Sequence, residues 1–284
     1  MISKTYPDGV LRRVQKAELE LLEEFDRICK KHGLTYFLDG GSCLGQVRHG
    51  GFIPWDDDID VGMPLEDYQR FVSLAPTELT EGISLHDHTN TKGYSLFFAK
   101  LYKDGTRFLD ENAMAAGCPQ GIFLDIFPFC PLDANEKKGR RSRKRALFWQ
   151  RMAFVKLNAN PHFPPTMSHQ RLIGLACKLA HHTVARLWSL ERMYALSMQS
   201  YKTNNPGDLW VNACSGDATP RRTEWIYPTQ EKPFDTMMAM VPHDCDAFLT
   251  AEYGSYMEIP PVEKRRTHTP LVLDFGDGVN VMEI

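Results

Sequence analysis

Four of the seven residues in the segment PWDDDID, which runs from Pro54 to Asp60, are aspartates. Two carboxylates about 4 Å apart repel each other by roughly 1 kcal/mol in water and by roughly 4 kcal/mol at an effective dielectric constant near 20. A folded chain that keeps such a cluster partly buried therefore needs a bound cation or protonation at that place. The segment predicts a metal site, and a solvated acidic turn is the alternative.

The segment IDVGM, residues 59–63, is typical of a strand. Because side chains on a strand alternate between its two faces, Asp58 and Asp60 are expected to project together while Ile59 points into the core. Two carboxylates on one face form half of an oxygen-rich Mg²⁺ site. Asp125 is the predicted third ligand, because it is the one charged residue in the apolar run GIFLDIFPF and is costly there unless paired or bound to metal. The alternative for Asp125 is a buried acid that caps backbone N–H groups.

A glycine turn precedes the acidic segment. The run LTYFLD (34–39) predicts a buried strand, and SCLGQVRHGG predicts a short helix with Ser42 as its N-cap. Glycines let backbone N–H groups approach a ligand closely, and a helix N-terminus attracts phosphate. Gly41 and Ser42 are therefore predicted to form a phosphate cradle beside the metal site.

The order of elements predicts an α/β or α+β fold for about the first 130 residues. An amphipathic helix is expected from Val10 to His32, closed by Gly33, and a second helix from Pro64 to just before Pro76. Further strands are expected at 83–87, 94–103, 106–110 and 121–129. The division expected is a catalytic core at 1–135, a helical subdomain at 136–202 and a C-terminal segment at 203–284 that completes the substrate site.

Composition places the chain among ordinary globular proteins, with 43% hydrophobic and 24% charged residues. Its net charge of -3 does not indicate a nucleic-acid partner. Seven cysteines without a CxxC pair are expected to be free thiols in a reducing compartment. The start of the sequence has no apolar signal segment, and no stretch reaches the ~20 apolar residues of a spanning helix. A cytoplasmic location is expected.

The basic run KKGRRSRKR, residues 137–145, contrasts with the acidic segment. Clustered Lys and Arg are attracted to anionic lipid or to a polyanionic acceptor, so a peripheral membrane contact is one interpretation. A solvated helix face is the other.

The segment LDGGSCLGQVRHGGFIPWDDDIDVGMPLEDYQRF, residues 38–71, resembles the signature of the LicD family of phosphorylcholine transferases and fukutin relatives, within the nucleotidyltransferase fold superfamily. The resemblance extends through residues 93–108 and 121–129 and returns at residues 253–268. It implies a nucleotidyltransferase-like mixed sheet with flanking helices and an added helical subdomain.

The resemblance also implies an activity. Such enzymes transfer a phosphoalcohol, typically phosphocholine from CDP-choline, to a hydroxyl of a cell-surface glycan, teichoic acid or lipopolysaccharide precursor, and release CMP. Gly41 and Ser42 match the family's glycine-serine turn, Asp58 and Asp60 its DxD pair, and Asp125 its third acid, with Mg²⁺ or Mn²⁺ as the expected metal. The expected place of action is the cytoplasm, at the inner face of the membrane.

Five further residues are candidate substrate contacts, because a transferring phosphate needs fixed positive charge. They lie in the family-like blocks and in the C-terminal strip VEKRRTH, and they are Arg48, Lys100, Arg107, Arg266 and His268. Ordinary surface cations are the alternative for each.

Two other functions stay open at this stage. A nucleotidyltransferase would attack the α-phosphorus of an NTP and release pyrophosphate. A non-catalytic glycan- or polyanion-binding protein would keep the fold without any requirement for Mg²⁺.

Overall fold

The computed structural model describes residues 6–158, 170–215, 218–265 and 267–283. Its strands are β1 Phe37–Leu38, β2 Asp60–Pro64, β3 Ile83–His86, β4 Ala99–Lys103, β5 Arg107–Leu109, β6 Phe123–Asp133, β7 Pro206–Asn212, β8 Arg221–Arg222, β9 Gln230–Phe234, β10 Met237–Val241 and β11 Val272–Asp274. Its α-helices are α1 Val10–His32, α2 Gly40–His49, α3 Leu65–Glu78, α4 Glu111–Ala116, α5 Glu136–Leu157, α6 Gln170–His182, α7 Leu190–Gln199, α8 Thr223–Ile226 and α9 Cys245–Tyr253. Two 3₁₀ helices lie at Val184–Arg186 and Val262–Lys264.

A mixed sheet of seven strands forms the centre of the described residues. Five strands follow the order β1-β2-β6-β4-β3, and β7 and β8 extend the sheet from β6. The β2 and β6 pair is parallel and the other pairs are antiparallel. Two small ribbons, β9–β10 and β5–β11, form separate two-stranded sheets. The expected α/β fold with a mixed sheet is therefore confirmed.

Helix α1 covers the sheet with the apolar stripe that its sequence predicts. Leu21, Leu22, Phe25 and Ile28 are completely buried in the main core, and burying each such side chain is worth roughly 1.5–3 kcal/mol. The helix ends as predicted, because Gly33 takes the left-handed conformation at φ 61° and donates its N–H to the Cys29 carbonyl.

Three local predictions are wrong. Helix α2 begins at Gly40 with Asp39 as its N-cap, not Ser42, because the Asp39 side chain accepts the Gly40 N–H. Helix α3 continues through Pro76 to Glu78, because a proline so near the C-terminal end removes one hydrogen bond and keeps a helical φ. The strand expected at 94–103 begins at Ala99, since residues 94–98 form a loop.

Helices α5, α6 and α7 fall where a helical region was predicted. The division of the chain into three domains stays a prediction. All seven cysteines are free thiols, as predicted. In the described parts of the chain, no helix combines the length and the apolarity that crossing a membrane requires.

Candidate functional site

Three charged side chains lie side by side across the centre of the sheet. Asp60 on β2 is in register with Asp125 on β6, and Asp125 is in register with Lys100 on β4. Paired residues on neighbouring strands project to the same face, so the sheet places the two carboxylates on one face. Lys100 Nζ lies 2.8 Å from Asp125 Oδ1, and both side chains are almost buried.

Hydrogen bonds fix the backbone that carries these acids. The Asp60 N–H donates to Ser42 Oγ at 2.8 Å, and the Asp125 N–H donates to the Ile59 carbonyl at 2.9 Å. Ser42 is buried and holds the start of β2 in place, a contact that its expected role in a phosphate cradle did not foresee. Its predicted contact with substrate stays a prediction.

Asp57 anchors the acidic segment to both ends of the described chain. It is fully buried and accepts hydrogen bonds from the Tyr6 hydroxyl at 2.6 Å and from the backbone N–H groups of His268 and Thr269 at 2.9–3.1 Å. Burial alone would raise the pKa of Asp57, but the hydrogen bonds from His268 and Tyr6 outweigh it and hold the pKa below its ordinary value. With these partners, Asp57 is a structural acid that is already satisfied.

His268 contacts the acidic segment through its ring. Its Nδ1 lies 3.2 Å from Asp57 Oδ1 and 3.5 Å from Asp58 Oδ2, while 60% of the side chain stays exposed. The hydrogen bond with Asp57 raises the pKa of His268 to about 9, so the imidazole is charged at neutral pH. The structure thus brings the predicted residue His268 to the predicted ligand Asp58.

The remaining acids resist ionisation. Burial, and after it the charges of neighbouring aspartates, raises the pKa of Asp60 well above its ordinary value and the pKa of Asp56 to about 8. Burial also raises the pKa of Asp58 and Asp125, against the opposing charges of His268 and Lys100. The carboxylates of the site outnumber the cations, His268 and Lys100, that lie beside them.

Glu18 on α1 adds another carboxyl group that the sequence interpretation missed. It is completely buried, and neither of its carboxylate oxygens has a hydrogen-bond partner in the described structure. Burial raises the pKa of Glu18 strongly, and the charges of Asp58 and Asp57 raise it further. Its helical spacing did carry a signal, because Glu18 stands four positions after Val14 and three before Leu21 and therefore falls on the apolar stripe of α1.

The start of α2 lies against the acids. A Cβ atom on Gly41 would come within 2.8 Å of Asp56 Oδ2, so a larger residue there would force the Asp56 carboxylate to move. Gly40, at φ 50°, lies next to Asp60 and takes a conformation that favours glycine. The backbone N–H groups at a helix start favour negative charge nearby.

A cleft of about 480 Å³ opens beside this helix start. Its polar lining includes Asp60, Gly41 and Arg221, and its aromatic lining includes Phe98 and Phe127, whose ring centroids are 4.4 Å apart. Arg221 is 2% exposed and pairs with Glu252. Sequence reasoning missed Arg221 and Glu252, because their approach to Asp60 depends on how β8 and α9 fold onto the sheet. It also missed Phe98 and Phe127, although Phe127 stands two positions after Asp125 on β6 and therefore on the same face.

The other predicted cations have different surroundings. Arg48 donates to the Tyr256 carbonyl at 2.8 Å, which attaches α2 to the C-terminal segment. Arg107 is exposed on β5 opposite Asp274. Within the described residues, its side chain makes no contact with the aspartates of the site. Arg266 lies outside the described residues. Substrate contacts by these three arginines stay predictions.

The donor set suits a hard divalent cation. Carboxylate oxygens are the ligands that Mg²⁺ prefers, and Asp60 and Asp125 stand in register with raised pKa values that a cation would offset. Among the described residues, the group whose ligand atoms all lie within 4.8 Å is Asp57, Asp58 and His268. That group contains Asp58 but neither Asp60 nor Asp125, so the triad of Asp58, Asp60 and Asp125 stays a predicted ligand set.

Comparison with known proteins adds the family. Residues 33–161 match the sequence model described as "LicD/FKTN/FKRP, nucleotidyltransferase domain". The chain is 26% identical over 267 residues to "Lipopolysaccharide cholinephosphotransferase LicD" of Haemophilus influenzae, covering 91% of this chain and 95% of that protein.

Two human proteins match shorter segments. "Ribitol 5-phosphate transferase FKRP" is 60% identical over 46 residues, which are 16% of this chain and 9% of that protein. "Ribitol-5-phosphate transferase FKTN" is 34% identical over 61 residues, which are 22% of this chain and 13% of that protein. These two likenesses therefore cover only a small part of either chain.

Fold, register and family match together define a nucleotidyltransferase domain of the α/β class. The chain carries a domain of the LicD family, and the resemblance noted in its sequence is confirmed.

Proposed function

We propose that this chain is a metal-dependent phosphotransferase of the LicD type, which moves a phosphoalcohol from a CDP-alcohol donor to a hydroxyl of a glycan or lipopolysaccharide precursor and releases CMP. The observation that carries the proposal is the register of Asp60, Asp125 and Lys100 across three strands beside the cleft. The names of the relatives support the reaction type, since they are cholinephosphate and ribitol phosphate transferases. Lipopolysaccharide is the acceptor in the name of the relative from Haemophilus influenzae, and a teichoic acid or other cell-wall precursor is an equivalent hydroxyl acceptor.

A divalent cation held by Asp58, Asp60 and Asp125 would neutralise a donor diphosphate and polarise its phosphorus, with Mg²⁺ as the first candidate and Mn²⁺ as the second. Lys100 adds a fixed positive charge on the same face, because it is anchored to Asp125 at 2.8 Å. Backbone N–H groups at the start of α2 would favour phosphate oxygens, because the N-terminus of a helix attracts negative charge.

Asp125 is the proposed general base. Burial raises its pKa, which makes the carboxylate a better proton acceptor for the acceptor hydroxyl. His268 supplies a second positive charge beside Asp58, since its pKa is raised to about 9 by its hydrogen bond with Asp57. His268, like Lys100, would act as a positioned positive charge on a negatively charged phosphoryl group.

The cleft is the proposed donor site. Its volume of about 480 Å³ falls within the range of small-molecule pockets. Phe98 and Phe127 offer ring faces to a cytosine base or to a quaternary ammonium group, and Arg221 lies on the polar side of the cleft. Choline is the proposed alcohol, after the relative that matches almost the whole chain, and ribitol is the competitor. The proposed place of action is the cytoplasmic face of a membrane that carries the acceptor.

The test is CMP release by purified protein with CDP-choline or CDP-ribitol, Mg²⁺ and extracted glycolipid precursors. Asp60→Asn and Asp125→Asn should each lower turnover by at least about a hundredfold, while the exposed Asp208→Asn serves as the matched control. Near-normal turnover by Asp60→Asn, or turnover in excess EDTA, would contradict the proposal. Release of pyrophosphate from CTP or ATP would instead identify a nucleotidyltransferase, and glycan binding without turnover would identify a binding protein.

A further inference from the structure

Helix α6 presents a row of leucines away from the protein. Leu172, Leu175 and Leu179 follow helical spacing and therefore share one face, and their exposed fractions are 67%, 66% and 65%. Leu187, just beyond the following 3₁₀ helix, is 72% exposed. Isolated exposed leucines are ordinary, but a row on one helix face marks an interaction surface.

The packing of the helix does not use this row. His181 forms a hydrogen bond through Nδ1 with the Val155 carbonyl at 2.9 Å, and Lys156 Nζ donates to the Ala185 carbonyl at 3.0 Å. His181 lies about half a turn around the helix from Leu172 and Leu179, at 100° per residue. The side of α6 that carries His181 is thus held against α5, and the leucine row faces outward.

The helical region that contains the leucine row is basic. Residues 136–202 contain fourteen Lys and Arg but only two Glu, a net charge of +12, whereas the whole chain carries -3. Lys178 on α6 and Arg186 beside Leu187 are both exposed. The rest of the chain therefore carries a net charge of -15, so the positive charge is concentrated in the helical region 136–202, to which α6 belongs.

We propose that the leucine row of α6 docks on an anionic lipid bilayer, with its leucines in the acyl boundary and with Lys178 and Arg186 at the headgroups. An exposed apolar helix face joined to a cationic surface is the arrangement that interfacial helices use. A second copy of this chain fits less well, because two helical regions of +12 each would repel. This inference is independent of the transferase proposal, since it uses no residue of the cleft.

Co-sedimentation with vesicles tests the proposal, using the full chain and two lipid compositions. One set of vesicles contains equal amounts of phosphatidylglycerol and phosphatidylcholine, and the other contains phosphatidylcholine alone. The wild type should bind the anionic vesicles, and added salt should weaken the binding. Substituting Leu172, Leu175 and Leu179 together by serine should lower the partition coefficient more than about tenfold, because three leucines no longer enter the lipid.

Two further variants measure what the cations contribute to vesicle binding. Lys178→Gln and Arg186→Gln should each lower the partition coefficient about fivefold. The control substitutes serine for three other exposed apolar residues on the acidic remainder, Met114, Met238 and Val279, whose exposed fractions are 50%, 41% and 45%, and it should bind like the wild type. Circular dichroism melting shows that each variant is folded.

Three results would overturn the proposal. The first is undiminished binding by the triple leucine variant, which would leave only electrostatic adsorption. The second is binding to soluble polyphosphate that is as tight as binding to the anionic vesicles and that is unchanged in the triple leucine variant. This result would identify a polyanion site. The third is a dimer in sedimentation velocity that the leucine variant abolishes, which would make this face a self-association surface.

Discussion

Lys100→Met probes the charge balance of the site. The Lys100 ammonium and the Asp125 carboxylate are 2.8 Å apart, with side chains only 6% and 11% exposed. Removing one partner of such a buried pair leaves an uncompensated charge and costs about 3–5 kcal/mol. Methionine keeps the aliphatic stem, while the ammonium, which lies 3.5 Å from the Phe123 ring centroid, is removed.

The destabilisation by Lys100→Met should depend on whether Mg²⁺ is present. In EDTA, the free energy of unfolding should fall by about 3–5 kcal/mol, because nothing replaces the ammonium beside Asp125. In Mg²⁺ at one fixed concentration, a hundred times the dissociation constant of the wild type, the folded wild-type protein should gain about 2.7 kcal/mol. That gain should be larger in Lys100→Met than in the wild type, because the cation then offsets the charge that Lys100 no longer offsets.

The assay is urea unfolding followed by tryptophan fluorescence, with EDTA or MgCl₂ and with both proteins at one concentration. Arg140→Met is the matched control, because Arg140 and Glu136 form an exposed ion pair with 69% and 83% exposed side chains, whose loss should hardly move the midpoint. A loss below about 1 kcal/mol in EDTA would refute the reasoning on the buried pair. An identical Mg²⁺ effect in variant and wild type would refute the placement of metal at Asp125.

Three other predictions concern the acidic segment and its supports. Gly41→Ala should destabilise the protein by about 1–3 kcal/mol, because its Cβ would come within 2.8 Å of Asp56 Oδ2; an unchanged melting temperature would mean that Asp56 moves away freely. Tyr6→Phe should cost about 1–3 kcal/mol in urea unfolding, since the buried Asp57 loses a 2.6 Å hydrogen bond, and a neutral result would show that water takes over the bond. In EDTA, the free energy of unfolding should fall as pH rises from about 4 to 9. Burial raises the pKa of Asp56 to about 8, and the hydrogen bond with Asp57 raises the pKa of His268 to about 9. The folded state therefore holds more protons than the unfolded state across this range, and it loses stability as they are released. Asp56→Asn should flatten this slope in calorimetric melts, and a stability that rises with pH would contradict the sign.

Some features were predictable because they depend on local spacing. The stripe of α1 and the terminating Gly33 follow from apolar periodicity and from the left-handed preference of glycine. Asp125 stood out because a single charge in an apolar strand is costly, and its register with Asp60 confirms that the two strands are neighbours. The acidic motif likewise identified the family, and the matching model covers it.

Other features depended on contacts that no local rule specifies. Asp39 caps α2 in place of Ser42, because Ser42 accepts the Asp60 N–H from a strand 18 positions away. Asp57 is a satisfied structural acid only because Tyr6 and residues near the far end of the chain, His268 and Thr269, fold onto it.

The sequence by itself determined the class of the domain and the two acids that stand in register, since periodicity, glycine positions and charge within apolar runs are local properties. The tertiary structure decided which acids are satisfied by protein groups, which stay in need of a cation, and which residues line the cleft. Arg221 and Glu18 illustrate this division, because each owes its importance to burial beside partners distant in the chain. Burial and electrostatic coupling arise only when the strands and helices pack, so no window of sequence contains them.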